Sequence, residues 1–268
     1  MIYGIKENKS FENIIFTYVV DSNESLLAWA ENQEGNDYSC VLVKKGTWTS
    51  NVAVNLGNAG TKIVIGEVGS DLIFNDVSFG LGYDELPSDF DCFMQNVSCK
   101  IIQNVAGQNY VPFQRCINLL NCKGHTYSDG YSRGFANCEN LYNCHGYGSG
   151  ALGGSGFYNC KNLYNCVGLS DYAGVSTNQA GFASCFNLEG CKGTGVQRGF
   201  SNCHVLTGCY GTGTEGYGFH SCTGVSRCRK LNDSAMATFD ASSCCANLGS
   251  FNQTYAVANT PEGGFNLV

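Results

Sequence analysis

The sequence contains little proline and little charge. Only 3 of its 268 residues are proline, and Asp, Glu, Lys and Arg together make up 14%. The 15 basic residues are fewer than the 22 acidic ones, and they are dispersed except for Arg227, Arg229 and Lys230. Because nucleic-acid-binding surfaces need clustered Lys and Arg, we expect no nucleic-acid partner.

Long hydrophobic runs are also missing. No apolar stretch approaches the roughly eighteen residues that indicate a membrane-spanning helix. Charged and polar residues at positions 6–9 interrupt the N-terminal segment, which therefore does not read as a secretion signal. We expect no signal peptide and no membrane partner.

Motifs for cofactors and metals are not evident either. The Gly-rich segments 146–150 and 211–214 lack the Lys-Ser/Thr ending of a phosphate-binding loop, and we interpret them as turns. Zinc hooks place two cysteines about two to four residues apart, whereas the closest cysteines here are the adjacent Cys244 and Cys245. The sequence predicts neither a cofactor nor a metal site.

The chain does contain a motif that returns every 18 to 25 residues, with the consensus Gly-Phe-x-Asn-Cys-x-Asn-Leu-x-Asn-Cys-x-Gly. Each copy has two cysteines with five residues between them, a Phe three residues before the first cysteine, and Leu or Val at the midpoint. Self-similarity at such a period is typical of solenoids. The cysteine pairs are Cys116/Cys122, Cys138/Cys144, Cys160/Cys166, Cys185/Cys191, Cys203/Cys209 and Cys222/Cys228.

The residue types of the motif exclude helical repeats, because Asn, Gly, Cys, Tyr and Phe disfavour helices or favour turns and strands. Asn137, Asn140 and Asn143 stand just before apolar residues, and Asn tolerates the left-handed conformation that a corner requires. We predict an all-β fold, a single-stranded right-handed parallel β-helix in which Cys stacks on Cys, Leu on Leu and Asn on Asn. Such stacked amides satisfy one another as a ladder.

The 17 cysteines are an odd number in a long chain. A disulfide framework is typical of small secreted domains, so we interpret the repeated cysteines as compact apolar residues that stay reduced in the core. Stacked cysteines would nevertheless lie near the separation of a disulfide, which leaves occasional oxidation open.

The first half predicts a short helix followed by strands. Leu26, Leu27, Trp29 and Ala30 form an apolar stripe within residues 22–32, and strand-like runs follow at 41–49, 52–56, 62–67 and 71–74. This succession resembles the first coil of the pectate-lyase-type right-handed β-helix superfamily over residues 22–75. The resemblance implies a helix that plugs the open end. We therefore divide the chain into an N-terminal segment with the capping helix (1–35), the β-helix (36–240, with the repeats at 113–230) and a C-terminal cap or tail (241–268).

The repeated motif, the opening segment 1–9 and the closing segment 258–265 resemble tail-appendage proteins of phages and prophages that infect Gram-positive gut bacteria. The resemblance implies a tail fibre or tailspike-like adhesin in the virion that binds a bacterial surface polysaccharide. It further implies a homotrimer with other tail proteins as partners. The alternatives are a polysaccharide-degrading enzyme and a purely structural spacer or surface adhesin.

The candidate binding residues come from segments rich in Gly, Ser, Thr and Tyr, at 123–133, 145–155, 167–180, 192–198 and 210–217. We predict these segments to be a row of loops, since Tyr, Ser and Gly are typical of adaptable binding loops. The tyrosines would otherwise pack on neighbouring coils or sister subunits. The candidates are Tyr127, Tyr131, Tyr147, Tyr172, Tyr217, Arg133 and Arg198.

The enzyme alternative depends on Asp89 and Asp91. They are two residues apart on an expected strand, so they would project from one face about 6.5 Å apart, near the separation of inverting glycosidases. The same alternation is also explained by a polar outer edge with Phe90 and Cys92 facing inward. We therefore treat the pair as a secondary hypothesis.

Overall fold

The computed structural model describes residues 14–31, 38–56, 61–80, 93–102, 111–128, 130–171, 179–214, 216–230, 239–240 and 243–246. Within these ranges the chain forms one α-helix, α1 (Asn23–Glu31), and 29 strands arranged in three parallel sheets. The helix is too short and too polar to cross a membrane. The all-β class and the parallel β-helix are confirmed, and the right-handed sense stays a prediction that the resemblance to right-handed β-helices implies.

Sheet 1 has eleven strands. They are β1 (Tyr18–Val20), β2 (Cys40–Val43), β5 (Ile63–Gly66), β8 (Phe93–Gln95), β11 (Ile117–Leu120), β14 (Glu139–Tyr142), β17 (Lys161–Tyr164), β20 (Phe186–Glu189), β23 (His204–Thr207), β26 (Thr223–Ser226) and β29 (Ser243–Ala246).

Sheet 2 has nine strands. They are β3 (Gly46–Ser50), β6 (Ser70–Asn75), β9 (Ser98–Ile102), β12 (Lys123–Ser128), β15 (His145–Gly150), β18 (Val167–Ser170), β21 (Lys192–Gly195), β24 (Tyr210–Gly213) and β27 (Arg229–Lys230).

Sheet 3 also has nine strands. They are β4 (Val54–Asn55), β7 (Phe79–Gly80), β10 (Phe113–Gln114), β13 (Tyr131–Ala136), β16 (Gly153–Tyr158), β19 (Ala180–Ala183), β22 (Arg198–Ser201), β25 (Tyr217–His220) and β28 (Phe239–Asp240). Each coil therefore passes through sheets 1, 2 and 3 in turn before it returns to sheet 1 one strand further along.

The apolar residues of the motif stack in columns, as predicted. Leu119 pairs with Leu141, which pairs with Leu163, and the column continues to Val225. The Phe rings of successive coils stack at 4.8–5.0 Å between centroids and within 9° of parallel. With the two cysteine columns at its corners, this set forms a fully buried core of triangular section, which we call the prism.

The bends around the prism depend on asparagine, with one bend on each side of every sheet 1 strand of the repeats and one bend within it. Asn137, Asn140 and Asn143 have φ of 56°, 58° and 52°, in the left-handed region, as do their counterparts in neighbouring coils. Their side chains form ladders: Asn162 donates to Asn140 at 2.9 Å, and Asn187 donates to Asn162 at 2.9 Å. The predicted asparagine ladder is confirmed. Each amide forms hydrogen bonds with the amides of neighbouring coils in place of the hydrogen bonds to water that the stacking excludes.

The fourteen cysteines from Cys40 to Cys228 whose side chains are described are free thiols, and all of them except Cys40 are buried. Each corner thiol donates to backbone carbonyls, as Cys138 does to Phe113 at 3.3 Å and to Ala136 at 3.4 Å. Burial raises the pKa of the Cys144, Cys166 and Cys191 thiols well above the usual range. These groups are therefore unreactive core residues in this structure.

Helix α1 covers the N-terminal end of the prism. Leu26, Trp29 and Ala30 are buried, and the Trp29 ring contacts Phe79 edge to face at 5.8 Å, which continues the Phe column. The prediction that Leu27 belongs to the buried stripe is wrong. Its side chain is 38% exposed, because it lies about 100° around the helix from Leu26.

Outside the prism, sheets 2 and 3 pack directly against each other through their inner faces, with almost no side chains between them. A β-carbon on Gly124, Gly146 or Gly168 would come within 2.3 Å of the carbonyl oxygen of the glycine opposite, in Gly134, Gly156 or Gly181. The two backbones can approach so closely only because these residues are glycine. We call this two-walled part of each coil the glycine arch.

Candidate functional site

The glycine arch changes the interpretation of the Gly-rich segments. We predicted them to be loops, but their described parts are mostly paired strands, such as β12, β13, β15 and β16, joined by short turns. The loop prediction is wrong because glycine here permits close packing of two walls rather than a flexible connection. The outer surfaces of these walls, rather than loops, are therefore the candidate binding surfaces.

An aromatic cluster lies on the outer wall formed by sheet 2. Alternation along β12 points His125 and Tyr127 outward, while Gly124 and Thr126 face into the arch. Tyr147, on β15, pairs in register with His125. Three rings from two strands thus meet on one face, in the middle of the coil stack.

The rings of the cluster touch one another. The His125 ring lies 4.5 Å from that of Tyr127 and 4.1 Å from that of Tyr147, and the two tyrosine rings are 5.3 Å apart. Tyr127 is 44% exposed, and the Lys100 ammonium lies 5.5 Å from its ring centroid. Such packing fixes the rings and leaves an amphipathic surface open to solvent.

The surroundings keep His125 neutral. Burial, with Lys100 nearby, lowers the pKa of His125 from its ordinary 6.5 to about 4. Its Nε2 atom is buried without a hydrogen-bond partner. At neutral pH the imidazole is therefore an uncharged ring that can both donate and accept hydrogen bonds.

Polar groups border the cluster on the sides of both the preceding and the next coil. Burial and a hydrogen bond to the exposed Asp171 carboxylate raise the pKa of Tyr147, so its phenol stays protonated. Asp171, Ser149 and Lys100 supply acceptors and donors around the rings. Asp171 is the carboxylate that acts on His125 and Tyr147, and among the described residues no second carboxylate joins it to form the acid pair of glycoside hydrolysis.

The structure separates the sequence-predicted binding residues into two groups. Tyr127 and Tyr147 come together in the cluster, whereas Tyr131, Arg133, Arg198 and Tyr217 lie on sheet 3, the opposite wall of the arch. The Arg133 guanidinium lies 3.7 Å from the ring centroid of Tyr158. Tyr172, Asp89 and Asp91 lie outside the described residues.

Sequence reasoning missed His125 and Lys100. The period of two on a strand would have placed His125 on the same face as Tyr127. Lys100 could not be found that way, because its contact depends on the register between β9 and β12, in which Lys100 pairs with His125. Among the described residues, no three His, Cys, Asp or Glu side chains are placed to hold a metal ion.

Comparisons with known proteins found weak likenesses to solved structures. The catalytic domain of a GH87 α-1,3-glucanase, a D1069A variant in complex with tetrasaccharides, is similar at 11% identity over 90% of this chain, with a TM-score of 0.34. PfbA, a surface adhesin of Streptococcus pneumoniae, is similar at 9% identity over 84% of this chain and 88% of its own, with a TM-score of 0.18.

The chain spans 47% of the glucanase domain's length. No family model and no curated protein sequence matches the chain. At these identities and TM-scores the likenesses say nothing about activity, and any function has to be argued from the chain's own surface.

Proposed function

We propose that this chain is a carbohydrate-binding β-helix, and that the cluster of His125, Tyr127 and Tyr147 is its glycan-binding surface. The observation that carries the proposal is the contact of three rings on one exposed wall, with polar groups at their border. Sugar rings present apolar C–H faces and hydroxyl edges, and aromatic surfaces bordered by donors and acceptors match both.

The rigid setting favours recognition. The cluster sits on paired strands whose neighbours are packed backbone to backbone, so its rings lose little conformational freedom on binding. The surface is open rather than a deep cleft, so we expect weak affinity per site, raised when several copies bind together.

The test is a glycan array with purified protein, followed by titration of the best glycan. Tyr127→Ala should weaken binding at least about tenfold, a loss of about 1.4 kcal/mol. Tyr131→Ala is the matched control, because Tyr131 is 41% exposed, against 44% for Tyr127, but lies on the opposite wall. Binding that survives Tyr127→Ala and Tyr147→Ala together, or that is lost in the control, contradicts the assignment of the site.

We further propose that the glycan belongs to the surface of a Gram-positive gut bacterium and that the chain is a tail appendage of a phage or prophage in the virion, with other tail proteins as neighbours. The support is the resemblance of the repeated motif and of the terminal segments 1–9 and 258–265. Purified protein should compete with such a phage for adsorption to its host, and the Tyr127→Ala variant should not. Binding of the array glycan without any effect on adsorption would sink the phage setting and leave the carbohydrate-binding proposal intact.

A further inference from the structure

The outer face of sheet 1 is largely apolar from β2 to β11 and carries both apolar and charged residues from β14 to β23. Inward positions such as Val41, Val64 and Met94 are buried in the core, so alternation turns their neighbours outward. Phe186 and Val205 are 49% and 43% exposed. The outward or partly exposed apolar residues of this face are Leu42, Ile63, Ile65, Phe93, Ile117, Leu120, Tyr142, Tyr164, Phe186 and Val205.

Two opposite charges stand in the middle of this face. Glu139 on β14 and Lys161 on β17 are in register, and both side chains are exposed. Beside them, the Tyr142 and Tyr164 rings stack at 4.8 Å. Apolar patches with polar residues around them mark interaction sites, and the two charges call for a partner that presents the opposite charges at the same positions.

We propose that sheet 1 is the interface of an antiparallel dimer of this chain, with a twofold axis that runs along the strand direction between β14 and β17. The rotation keeps each column of side chains opposite itself and reverses the order of the coils. Glu139 of one copy then faces Lys161 of the second copy, and Lys161 faces Glu139. The same operation sets Tyr142 against Tyr164 of the second copy.

One apolar pair next to the axis follows the same symmetry, whereas at the end of the same strands Leu120 meets the exposed Glu189. Strand β11 meets β20 of the second copy, so Ile117 faces Phe186. In a parallel threefold bundle, one form of the homotrimer that the resemblance implies, equal coils would meet at equal heights. Glu139 would then lie near Glu139 and Lys161 near Lys161, an arrangement that like-charge repulsion disfavours.

The area is sufficient for a stable dimer. The axis brings ten of the eleven strands of sheet 1 opposite strands of the second copy. At about 4.8 Å per strand and a width of about 15 Å, each copy would bury about 700 Å², close to the roughly 800 Å² per partner of a standard interface. The aromatic cluster on sheet 2 stays exposed in both copies.

The experiment is a mass measurement by light scattering across a concentration series. We expect the wild-type protein to have twice the 28.8 kDa chain mass. Glu139→Lys should place two lysines opposite each other in both of the symmetry-related charge pairs beside the axis. We expect the dimer to weaken at least about tenfold, a loss of about 1.4 kcal/mol. The double variant Glu139→Lys with Lys161→Glu restores opposite charges across the axis and should restore the dimer.

Glu31→Lys is the matched control, because this exposed glutamate lies on the last turn of the covering helix α1 and not on a strand of sheet 1, and the charge change is the same. It should remain dimeric. Circular dichroism confirms that each variant is folded. A wild-type monomer or trimer at all concentrations, or a double variant that stays dissociated while folded, overturns the proposal. Glycan binding by the cluster is measured separately, so this failure would not affect the proposed function.

Discussion

The prism and the glycine arch are parts of the same coils, yet they are held together in opposite ways. The prism is filled by side chains, with Phe, Leu and two cysteines from each coil in fully buried columns. The arch contains little besides backbone, because facing glycines bring sheets 2 and 3 into direct contact. In both parts, successive coils are joined by parallel strand pairing.

The difference teaches where each part tolerates change. A core of side chains loses stability when a side chain is shortened, since a cavity remains. A contact between backbones instead fails when a side chain is added, since neither wall can move away without breaking its ladder. Opposite substitutions should therefore break the two parts.

The largest effect is expected from Gly146→Ala in the arch. The new β-carbon would lie 2.3 Å from the carbonyl oxygen of Gly156, so the free energy of unfolding should fall by more than about 4 kcal/mol. Gly208→Ala is the control. Its φ is +61° but no atom lies within 4 Å of the added carbon, so the cost should be about 1 kcal/mol in urea denaturation. Equal costs for the two variants would refute the close contact.

Shortening a side chain in the prism should cost somewhat less. Leu163→Ala leaves a cavity in the Leu column and should lower the free energy of unfolding by about 3 kcal/mol. Leu152 lies in a turn of the arch and is 54% exposed, so Leu152→Ala should change the free energy of unfolding by less than about 0.5 kcal/mol in the same assay. A small loss for Leu163→Ala would mean that the column is not tightly packed.

The asparagine ladder should contribute about 2 kcal/mol at a central position. Asn162→Ala removes the hydrogen bonds with Asn140 and Asn187, and it leaves at φ 56° an alanine that lacks the amide by which asparagine tolerates the left-handed region. Asn162→Gly keeps the backbone conformation and should recover part of the loss, which separates the two contributions. If the glycine variant is no more stable than the alanine variant, the left-handed corner is not a source of strain.

Val205 is a position where a substitution should stabilise the fold. This β-branched residue has φ of 58°, at the ladder position that Asn187 occupies one coil earlier. Val205→Asn should relieve the strain and extend the ladder, raising the free energy of unfolding by about 1 kcal/mol. Val225→Asn, which buries an amide in the core, should lower it instead.

The smallest effect concerns the outer wall of the arch. The pKa of His125 is about 4 in the fold against an ordinary 6.5, so protons bind the unfolded chain more readily. The contribution of the neutral ring to the free energy of unfolding is complete above pH 6.5 and is lost as the pH falls towards 4. His125→Gln should therefore show a shallower loss of stability over this range in thermal denaturation. An unchanged slope would show that the ring is not held neutral by its surroundings.

The columns of the prism were predictable from the sequence because identical residues recur at fixed positions. Cys138, Leu141 and Cys144 appear again in the next coils, and the asparagines before them adopt the left-handed corners that this pattern requires. The covering helix was also predictable, except for the exposure of Leu27. These features depend on local chemistry that each coil repeats.

The arch and the cluster were less accessible to sequence reasoning. A glycine such as Gly146 fits a loop and a close contact between strands equally well, and only the facing Gly156 distinguishes the two. The pairing of Lys100 with His125 depends on register between coils of different length. Both the facing glycine and the strand register are relations between segments of the chain, which the sequence of one repeat does not contain.

The most direct test of the account is a distance between two exposed positions of one column, measured by electron spin resonance with labels on unnatural amino acids. Asp71 and Lys192 are 121 residues apart in sequence, yet the pairings through Ser98, Lys123, His145 and Val167 place them five strands apart on sheet 2. The account predicts one narrow distribution centred about 24 Å, five steps of about 4.8 Å. A broad distribution, or one centred beyond about 35 Å, would contradict the stacked columns on which the cluster and the apolar face both depend.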